Sequence, residues 1–489
     1  MVESIVQGRA GRFVVLFLVV ACSSLLGCTV GRDYSEPELS VPAAFEDLQP
    51  DEGAAQEAAP GPVSREWWKS FNDEALNALI SRAAAGNKDL AAALSRINQS
   101  RALAEQAFAE LLPSGQLNGA YQLNRYPAAE FPFPGNTGFH TELFSVGSSV
   151  FWELDIFGRV RRGVEAANAE YDAAVAGLQD VLRMVMADTA QTYFQLRSAQ
   201  AELAIAQQNA ANQQETYDNA VERLKLGRGS ELDLVRAEAQ LETTRAMIPL
   251  FRAAAENAIH RLCVLVGEDP HALHGMLSSQ AAIPLYQGPV ALGEPKDLLR
   301  RRPDLRAAER KLAAASARAG VAAGDLYPKM SFQGTLSVVA ETPNEFTSGQ
   351  PLAYAGGPQI SWALFDIPKI RARIKASDAR TEEALTQYEQ AVLRALQETE
   401  DALSVFSAER ERRQSVKQAA AASRRALELA RAQYQIGAVD FLSVLAAHST
   451  LLANEDALAR SDLALDSAFV SIYRALGGGW EAYEVQAEK

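Results

Sequence analysis

The chain has 489 residues and a formal net charge of −14 at pH 7, with a sequence pI near 5.1. This length allows several domains or one elongated domain, and the acidic balance without a basic patch argues against a nucleic-acid partner. Of the three cysteines, we expect Cys22 to be removed with an N-terminal signal and Cys28 to carry a lipid. Cys263 then stands alone, so the fold cannot depend on an intramolecular disulfide.

The N-terminal segment has the form of a secretory signal. Arg9 and Arg12 precede an apolar run of about ten residues, which is too short for a helix that crosses a ~30 Å hydrocarbon core. The tetrapeptide LLGC, which ends at Cys28, resembles a bacterial lipobox. We therefore expect cleavage after Gly27 and a lipid on Cys28. The alternative is an ordinary signal peptide followed by an incidental cysteine.

The segment after the signal predicts an extended chain before the helices begin. Residues 28–66 are rich in Pro, Ala, Glu and Asp, which is typical of a linker or of a strap over a surface. From Trp67 the composition is helical, and no later apolar run is long enough for a membrane-spanning helix. An exported chain of this kind is periplasmic, lipid-tethered or a transmembrane β-barrel.

The sequence contains two copies of one pattern. FWELDIFGRVR and SWALFDIPKIR align so that Trp152 lies 210 positions before Trp362, and the same offset pairs Gly227 with Gly437. This offset predicts a tandem duplication. The predicted segments are the signal peptide 1–27, the linker 28–66, the first repeat 67–288, the second repeat 289–477 and the C-terminal tail 478–489.

Each repeat predicts two β-strands between helices. Apolar and polar residues alternate in 116–124 and 330–338, and more weakly in 143–155. Runs of roughly 9–12 residues have the length of a tilted membrane strand, although a soluble antiparallel sheet with one wet face fits the same alternation. Four strands are too few to close a barrel, so strands placed in a membrane would require oligomerisation.

Each repeat also predicts a long helix. The first runs from about Arg159 to Leu226 without proline, which corresponds to roughly 100 Å at 1.5 Å per residue. Apolar residues recur with heptad-like spacing, and abundant alanine allows neighbouring helices to approach closely. These residues are Leu178, Leu182, Val185, Thr189, Tyr193 and Leu196 in the first copy, and Leu385, Tyr388, Val392, Leu396, Thr399, Leu403 and Phe406 in the second.

Each long helix ends in a tight turn that leads into a second helix. Gly227 and Gly437 suit the left-handed backbone that ends a helix, and Ser230 and Asp440, three residues further on, are N-cap residue types. Ser230 and Asp233 together resemble a capping box with Asp in place of Glu. Helix capping alone accounts for these residues, and a docking role for the turns is the alternative.

No catalytic constellation stands out, so we expect neither an enzyme nor a cofactor. His271 and His274 could face one way, but no acidic or cysteine partner accompanies them in the sequence. We interpret them as surface histidines and expect no metal site. The glycines at 477–479 lack the strand–loop–helix context of a phosphate-binding loop. A lipid-tethered periplasmic coiled-coil scaffold with a small sheet is a further alternative.

Several motifs in a fixed order carry a family resemblance. They are Cys28, Tyr34 and Pro37, then WWKSFNDEALNALISRAAAGNKDLAAALSRI, then FWELDIFGRVRRGVEAA, then the two glycine turns. As a set they resemble the outer membrane factor family, the TolC- and OprM-like exit ducts of tripartite efflux pumps. The resemblance implies a mainly α chain that forms a homotrimer, with four strands per subunit in a 12-stranded membrane β-barrel and four helical columns per subunit in a coiled-coil α-barrel.

The resemblance also implies a function and partners. The chain would sit in the outer membrane of a Gram-negative bacterium, in contact with its lipid, with most of its mass in the periplasm. It would passively conduct substrates to the outside from a periplasmic adaptor protein and an inner-membrane transporter. The outer membrane duct of a protein secretion system is the alternative.

The resemblance assigns roles to the two turns. The turns would dock the adaptor through Leu226, Gly227, Ser230, Gly437, Val439 and Asp440. Members of the family commonly narrow the aperture with acidic residues on the helix that leaves the second turn, where this chain has Ser443 and Ala446. Its nearby acids on the helix after the first turn are Glu231 and Asp233, so these four residues are the aperture candidates.

Overall fold

The structure is a computed structural model that describes residues 29–42, 45, 58–59, 64–130, 137–286, 290–291, 294–347 and 352–483. The described chain is mainly helical, with a four-stranded sheet and a short two-stranded parallel pair. The predicted lipidation site Cys28 lies outside the described residues. Two compact units divide the chain: a sheet unit formed by Met1–Glu38, Ile97–Ala174 and Ala308–Tyr388, and a helical unit formed by Leu39–Arg96, Val175–Ala307 and Glu389–Lys489.

The elements of the two halves follow one order: helices, strand, strand, long helix, helix. The helices are α1 (Glu74–Gly86), α2 (Lys88–Ala109), α3 (Arg159–Lys225), α4 (Glu231–Val266), α5 (His274–Leu277), α6 (Pro295–Arg301), α7 (Pro303–Gly324), α8 (Ile367–Gln435) and α9 (Phe441–Ala475). The strands are β1 (Ala58–Ala59), β2 (Ser114–Tyr126), β3 (Phe139–Glu153), β4 (Val290–Ala291), β5 (Lys329–Ala340) and β6 (Leu352–Ser361). Short 3₁₀ helices occur at Trp67–Phe71, Pro343–Thr347, Leu364–Asp366 and Trp480–Tyr483.

The prediction of two long helices is confirmed. Helix α3 has 67 residues and α8 has 69, and α3 begins at the predicted residue and ends one residue before the predicted end. The heptad-like residues are largely buried, with Thr189, Tyr193 and Thr399 at 0% exposure. Among the described residues, no helix is both long enough and apolar enough to cross a membrane.

The sheet unit contains one antiparallel sheet with the strand order β2-β3-β5-β6. The three predicted runs fall on β2, β3 and β5. Strands from both predicted repeats share this sheet, because β3 pairs with β5 in a register that includes Gly147 opposite Ser337. Large apolar side chains on the edge strands β2 and β6 are exposed in the single chain; they include Leu117 (80%) and Tyr354 (83%).

The N-terminal residues 29–38 form a strap on the sheet unit, as the alternative of a strap over a surface predicts. They contain no helix or strand, and the φ of Gly31 is +99°. A Cβ on Gly31 would lie 2.9 Å from the Cα of Gly320 in α7, so the two backbones meet directly. The Tyr34 hydroxyl donates to Glu309, 2.5 Å away, and anchors the strap to the same helix.

The helical unit has an extensive apolar core. The 3₁₀ helix Trp67–Phe71 contributes buried rings that pack against Phe469 and Tyr473 of α9. The Tyr193 hydroxyl of α3 donates to Asp73 at 2.6 Å, and the other carboxylate oxygen of Asp73 caps α1. Helices α1, α3 and α9 are therefore joined through one cluster, which fixes the bases of the two helical hairpins, α3–α4 and α8–α9.

Candidate functional site

The turn between α3 and α4 reverses the chain at a left-handed glycine. Gly227 has φ +65°, and its N–H donates to the Leu224 carbonyl at 3.0 Å. The N–H of Arg228 donates to the Arg223 carbonyl at 2.8 Å. These two bonds form a Schellman motif, which satisfies carbonyls that the helix end would otherwise leave unpaired.

The turn between α8 and α9 repeats this geometry. Gly437 has φ +78°, its N–H donates to Tyr434 at 3.1 Å, and the Ala438 N–H donates to Gln433 at 2.8 Å. A non-glycine residue in this backbone region is strained because its Cβ approaches the carbonyl. The predicted left-handed glycines are therefore confirmed at both turns.

The helices that leave the turns begin with side-chain caps. Ser230 accepts from the Leu232 N–H at 3.1 Å. Asp440 accepts from both the N–H and the hydroxyl of Ser443, at 3.0 and 2.6 Å. These bonds from the hydroxyl and then the N–H of Ser443 lower the pKa of the Asp440 carboxyl. Both predicted N-caps are thus present.

The predicted capping box of Ser230 and Asp233 is wrong, although Ser230 does cap the helix. The hydroxyl of Ser230 bonds to the second helical N–H, not to the N–H of Asp233 at the third position. Among the hydrogen bonds of the described residues, none runs from the Ser230 N–H to the Asp233 carboxylate. The Asp side chain is one methylene shorter than the Glu of a capping box, which limits its reach back to the cap.

The turns expose apolar side chains at equivalent positions. Leu226 is 70% exposed and Ile436, 210 positions later, is 81% exposed. Leu232 and Leu442 form a second such pair, at 56% and 50%. Sequence reasoning named Leu226 but missed the other three residues, although the repeat offset itself pairs them. Val439, which it did name, is half-buried.

The two hairpins contact each other just before their turns. The guanidinium carbon of Arg223 lies 4.4 Å from the ring centroid of Tyr434, within the range of a cation–π interaction. Tyr434 also packs on the ring of Phe441, with centroids 5.4 Å apart. Burial raises the pKa of Tyr434, and the nearby Asp233 carboxylate adds to the increase while Arg223 opposes it. The Arg223–Tyr434 contact therefore joins the ends of the two long helices.

The aperture candidates have different environments. Glu231 is exposed and Asp233 is half-buried, both in the first turn of α4. Ser443 is exposed and engaged with the Asp440 cap, and Ala446 is exposed one turn further along α9. Helix α4 thus has two carboxylates in its first turn, whereas the carboxylate at the start of α9 is that of its N-cap residue, Asp440.

The described residues also contain one group of side chains able to hold a metal ion: His260, His271 and His274. The expectation that His271 and His274 have no acidic partner is wrong, because the Glu256 carboxylate contacts His274 at 2.8 Å. Helix α4 also brings His260 beside the two rings. Cys263 is buried in the same region with a free thiol.

Comparison with known proteins gives extensive matches. The family model described as outer membrane efflux protein matches residues 79–268 and 295–478. The pyoverdine export outer membrane protein OpmQ of Pseudomonas aeruginosa is 31% identical over 481 residues, covering 96% of this chain and 97% of that protein. The cation efflux system protein CusC of Escherichia coli O6:H1 is 28% identical over 463 residues, covering 94% and 97%. The structure of the outer-membrane channel OprN superposes with a TM-score of 0.85 at 38% identity, covering 93% of this chain and 100% of that one.

Proposed function

Because the chain belongs to the outer membrane efflux protein family, we infer that it is the outer membrane channel of a tripartite efflux system. The observation that carries this inference is the family match over 79–268 and 295–478, which includes β2, β3, β5, β6 and both helical hairpins. The protein acts by passive conduction rather than by catalysis, since the family is one of efflux channels. Its partners are a periplasmic adaptor and an inner-membrane transporter.

We propose that three chains assemble into one channel, with each half of the chain as one copy of a duplicated unit. Strands β2 and β6 lie at the two edges of a four-stranded sheet, and a small barrel needs about eight strands. Unpaired edge groups are costly in hydrocarbon, so β2 of one chain would pair with β6 of the next to close twelve strands. The long helices α3 and α8, together with α4 and α9, would pack as the coiled-coil α-barrel.

The two turns would dock the adaptor. Their exposed apolar pairs, Leu226 with Ile436 and Leu232 with Leu442, resemble the anchors of protein interfaces, where apolar residues occupy the centre and polar residues the rim. Gly227 and Gly437 hold these anchors in equivalent settings, so a trimer would present six similar sites. Ser230, Val439 and Asp440 would fix the shape of the contact.

A lipid on Cys28 would anchor the chain in addition to the sheet. The side chain of Thr29 lies against Gly158, where a Cβ would come within 2.6 Å of its methyl group. Gly158 belongs to the turn between β3 and α3, so the residue after Cys28 is held where the strands end. An outer membrane location with the lipid inserted in the periplasmic leaflet agrees with this contact.

The exported substrate is proposed to depend on the transporter. The relatives named above are described for cation efflux and for pyoverdine export at similar identity to this chain. This chain is about equally similar to channels that are described for very different substrates. We therefore expect that the transporter selects the substrate and that the channel conducts whatever the transporter delivers.

The proposed function is tested with purified protein in detergent and in planar bilayers. We expect a mass of three chains plus bound detergent, and discrete single-channel currents. A periplasmic scaffold would give no current. A monodisperse monomer with its full strand content, or a trimer that never conducts, would contradict the proposal.

The docking site is tested by Ile436→Glu, which places a charge at the most exposed apolar residue of the turns. We expect export to be lost while the trimer and its conductance persist. The matched control is Leu429→Glu in α8, an exposed leucine (53%) one to two turns before the turn. Equal export by both variants would contradict docking at the turn.

A further inference from the structure

Three of the five histidines of the chain converge in the helical unit. His260 lies in the last two turns of α4, His271 lies in the connection after that helix, and His274 is the first residue of α5. Each ring offers a nitrogen, and these three nitrogens lie within 4.8 Å of one another. The ring centroids are 5.7 Å (260–271), 6.4 Å (260–274) and 5.9 Å (271–274) apart.

The local fold brings these rings together by reversing the chain at Gly267. This glycine has φ +79°, and the Glu268 N–H donates to the Cys263 carbonyl at 2.9 Å in a third Schellman motif. The thiol of Cys263 donates to the Pro270 carbonyl at 3.2 Å. The backbone that carries His271 is therefore held against the end of α4.

The connection is fixed by further bonds on its other side. The Asp269 carboxylate accepts from the His271 N–H at 3.1 Å, and its carbonyl accepts from the Ala272 N–H at 2.9 Å. Both oxygens of the Glu268 carboxylate accept from the Nη2 of Arg82, at 2.6 and 2.5 Å. The backbone positions of the histidines are thus set by contacts that do not involve their rings.

Imidazole nitrogen is the ligand type that Zn²⁺ and Cu²⁺ prefer among neutral side-chain groups, whereas Mg²⁺ and Ca²⁺ prefer oxygen. Tetrahedral coordination at a metal–nitrogen distance of about 2.0–2.1 Å brings ligand nitrogens to roughly 3.4 Å from one another. The observed separations are up to about 1.4 Å longer than that, so a bound ion would draw the rings together. His271 is exposed and the other two rings are partly exposed, so the rings have room to turn and water can fill the remaining position.

A carboxylate contacts one histidine of the cluster, as is common for histidines that bind metal ions. Glu256, one turn before His260 on α4, lies 2.8 Å from the Nε2 of His274. A carboxylate that contacts one nitrogen of a ligating histidine fixes its tautomer and ring orientation and makes the ring a better ligand. The acid also adds negative charge beside the three rings.

We propose that His260, His271 and His274 bind one divalent transition-metal ion of the Zn²⁺ or Cu²⁺ class, with Glu256 positioning the His274 ring. The ion would cross-link the end of α4 to the start of α5. It is a resident ion rather than cargo, and the proposal holds whatever substrate the channel exports.

The test is isothermal titration of ZnCl₂ into tag-free, metal-stripped trimer in detergent. We expect binding at one ion per chain that MgCl₂ does not compete away. His271→Ala, at an exposed position that tolerates truncation, should weaken Zn²⁺ binding by at least about tenfold, and Glu256→Gln should weaken it about 10–100-fold. His140→Ala is the matched control, because His140 is an exposed histidine on β3 outside the cluster.

A spectroscopic measurement separates this site from weak surface binding. Cu²⁺ bound to the wild-type protein should show nitrogen hyperfine structure from several imidazoles, and His260→Ala should reduce the number of coordinating nitrogens by one. Circular dichroism confirms that each variant keeps its helical content. Absence of Zn²⁺ binding by the wild type, or equal affinity of the His271→Ala and His140→Ala proteins, overturns the proposal.

Discussion

At the scale of single residues, the buried carboxyl of Asp466 has a direct effect on stability. It lies in α9 with 0% exposure, its Oδ1 accepts from the Tyr286 N–H at 3.4 Å, and its Oδ2 has no hydrogen-bond partner among the described residues. Burial raises the pKa of this carboxyl to about 8. In the unfolded chain an Asp carboxyl has a pKa of about 3.9, so the folded state binds more protons between these values.

This difference predicts a pH dependence that Asp466→Asn removes. Wild-type stability should fall as pH rises from about 4 to about 8, by at most about 1.4 kcal/mol per pH unit from this group. The stability of Asp466→Asn relative to wild type should therefore increase from about pH 4 to about pH 8. Above about pH 8 the difference in stability between the two proteins should stay constant. Thermal denaturation from pH 4 to 9 measures the effect, with the exposed Asp378→Asn as the control. If the melting temperatures of wild type and Asp466→Asn changed with pH in the same way, the raised pKa of Asp466 would be contradicted.

Local chemistry explains which residues of the site were predictable. Gly227, Gly437, Ser230 and Asp440 each satisfy a rule about backbone groups within a few residues, so sequence alone identifies them. The grouping of His260 with two later histidines depends on the reversal at Gly267 and on the angle at which the chain returns. The pattern of apolar and polar residues contains no information on that angle, so the histidine cluster could not be predicted from the sequence.

At the scale of elements, each hairpin depends on its turn having a left-handed residue. Gly437→Val should strain the turn by about 1–2 kcal/mol. A Cβ there meets no atom within 4 Å, so the effect is confined to the backbone of the turn. We expect loss of export, with normal amounts of trimer in the outer membrane, because the core of the helical unit is not touched.

The control for this turn variant is Gly177→Val. Gly177 lies within α3, its φ is not positive, and a Cβ there also meets no atom within 4 Å. Valine has higher helix propensity than glycine, so this change should leave export intact. If Gly437→Val exported as well as Gly177→Val, the geometry of the second turn would have no part in function.

Element boundaries followed from the sequence better than element pairing did. Helix α3 was predictable to within a residue at each end because glycine and cap residues mark its end and heptad spacing marks its interior. The pairing of β3 with β5 joins strands of different halves of the chain, about 180–200 residues apart. Alternation specifies the faces of each strand but not its neighbour, and so this contact required the structure.

At the scale of the whole molecule, the aperture of the proposed trimer would depend on which residues meet when the copies assemble. In a trimer, three copies of Asp233 near a common axis would attract cations. Asp233→Asn should then reduce cation selectivity and change single-channel conductance at neutral pH. Asp440→Asn serves as the comparison, because Asp440 is an acid at the other turn whose carboxylate is engaged by Ser443. Unchanged reversal potentials for both variants would exclude these acids from the aperture.

The proposed lipid belongs to the same scale because it adds a second attachment to the membrane. Labelled palmitate should enter the wild-type protein and not Cys28→Ala. A lipid contributes about 0.8 kcal/mol per buried CH₂, whereas a closed set of spanning strands does not leave the membrane. We therefore expect the variant to remain in the outer membrane fraction. Equal labelling of both proteins would contradict modification at Cys28.

The two edges of the four-stranded sheet have a consequence for how the proposed trimer would assemble. In the single chain β2 and β6 are edge strands, and every unpaired N–H or C=O group costs several kcal/mol in hydrocarbon. In the proposed trimer a lone chain would insert only at this cost, so we expect edge pairing and insertion to occur together. Before that event the edges are templates for any foreign strand. If three chains close one barrel as proposed, we expect the rate at which chains meet, rather than the stability of any one of them, to limit how fast the channel forms.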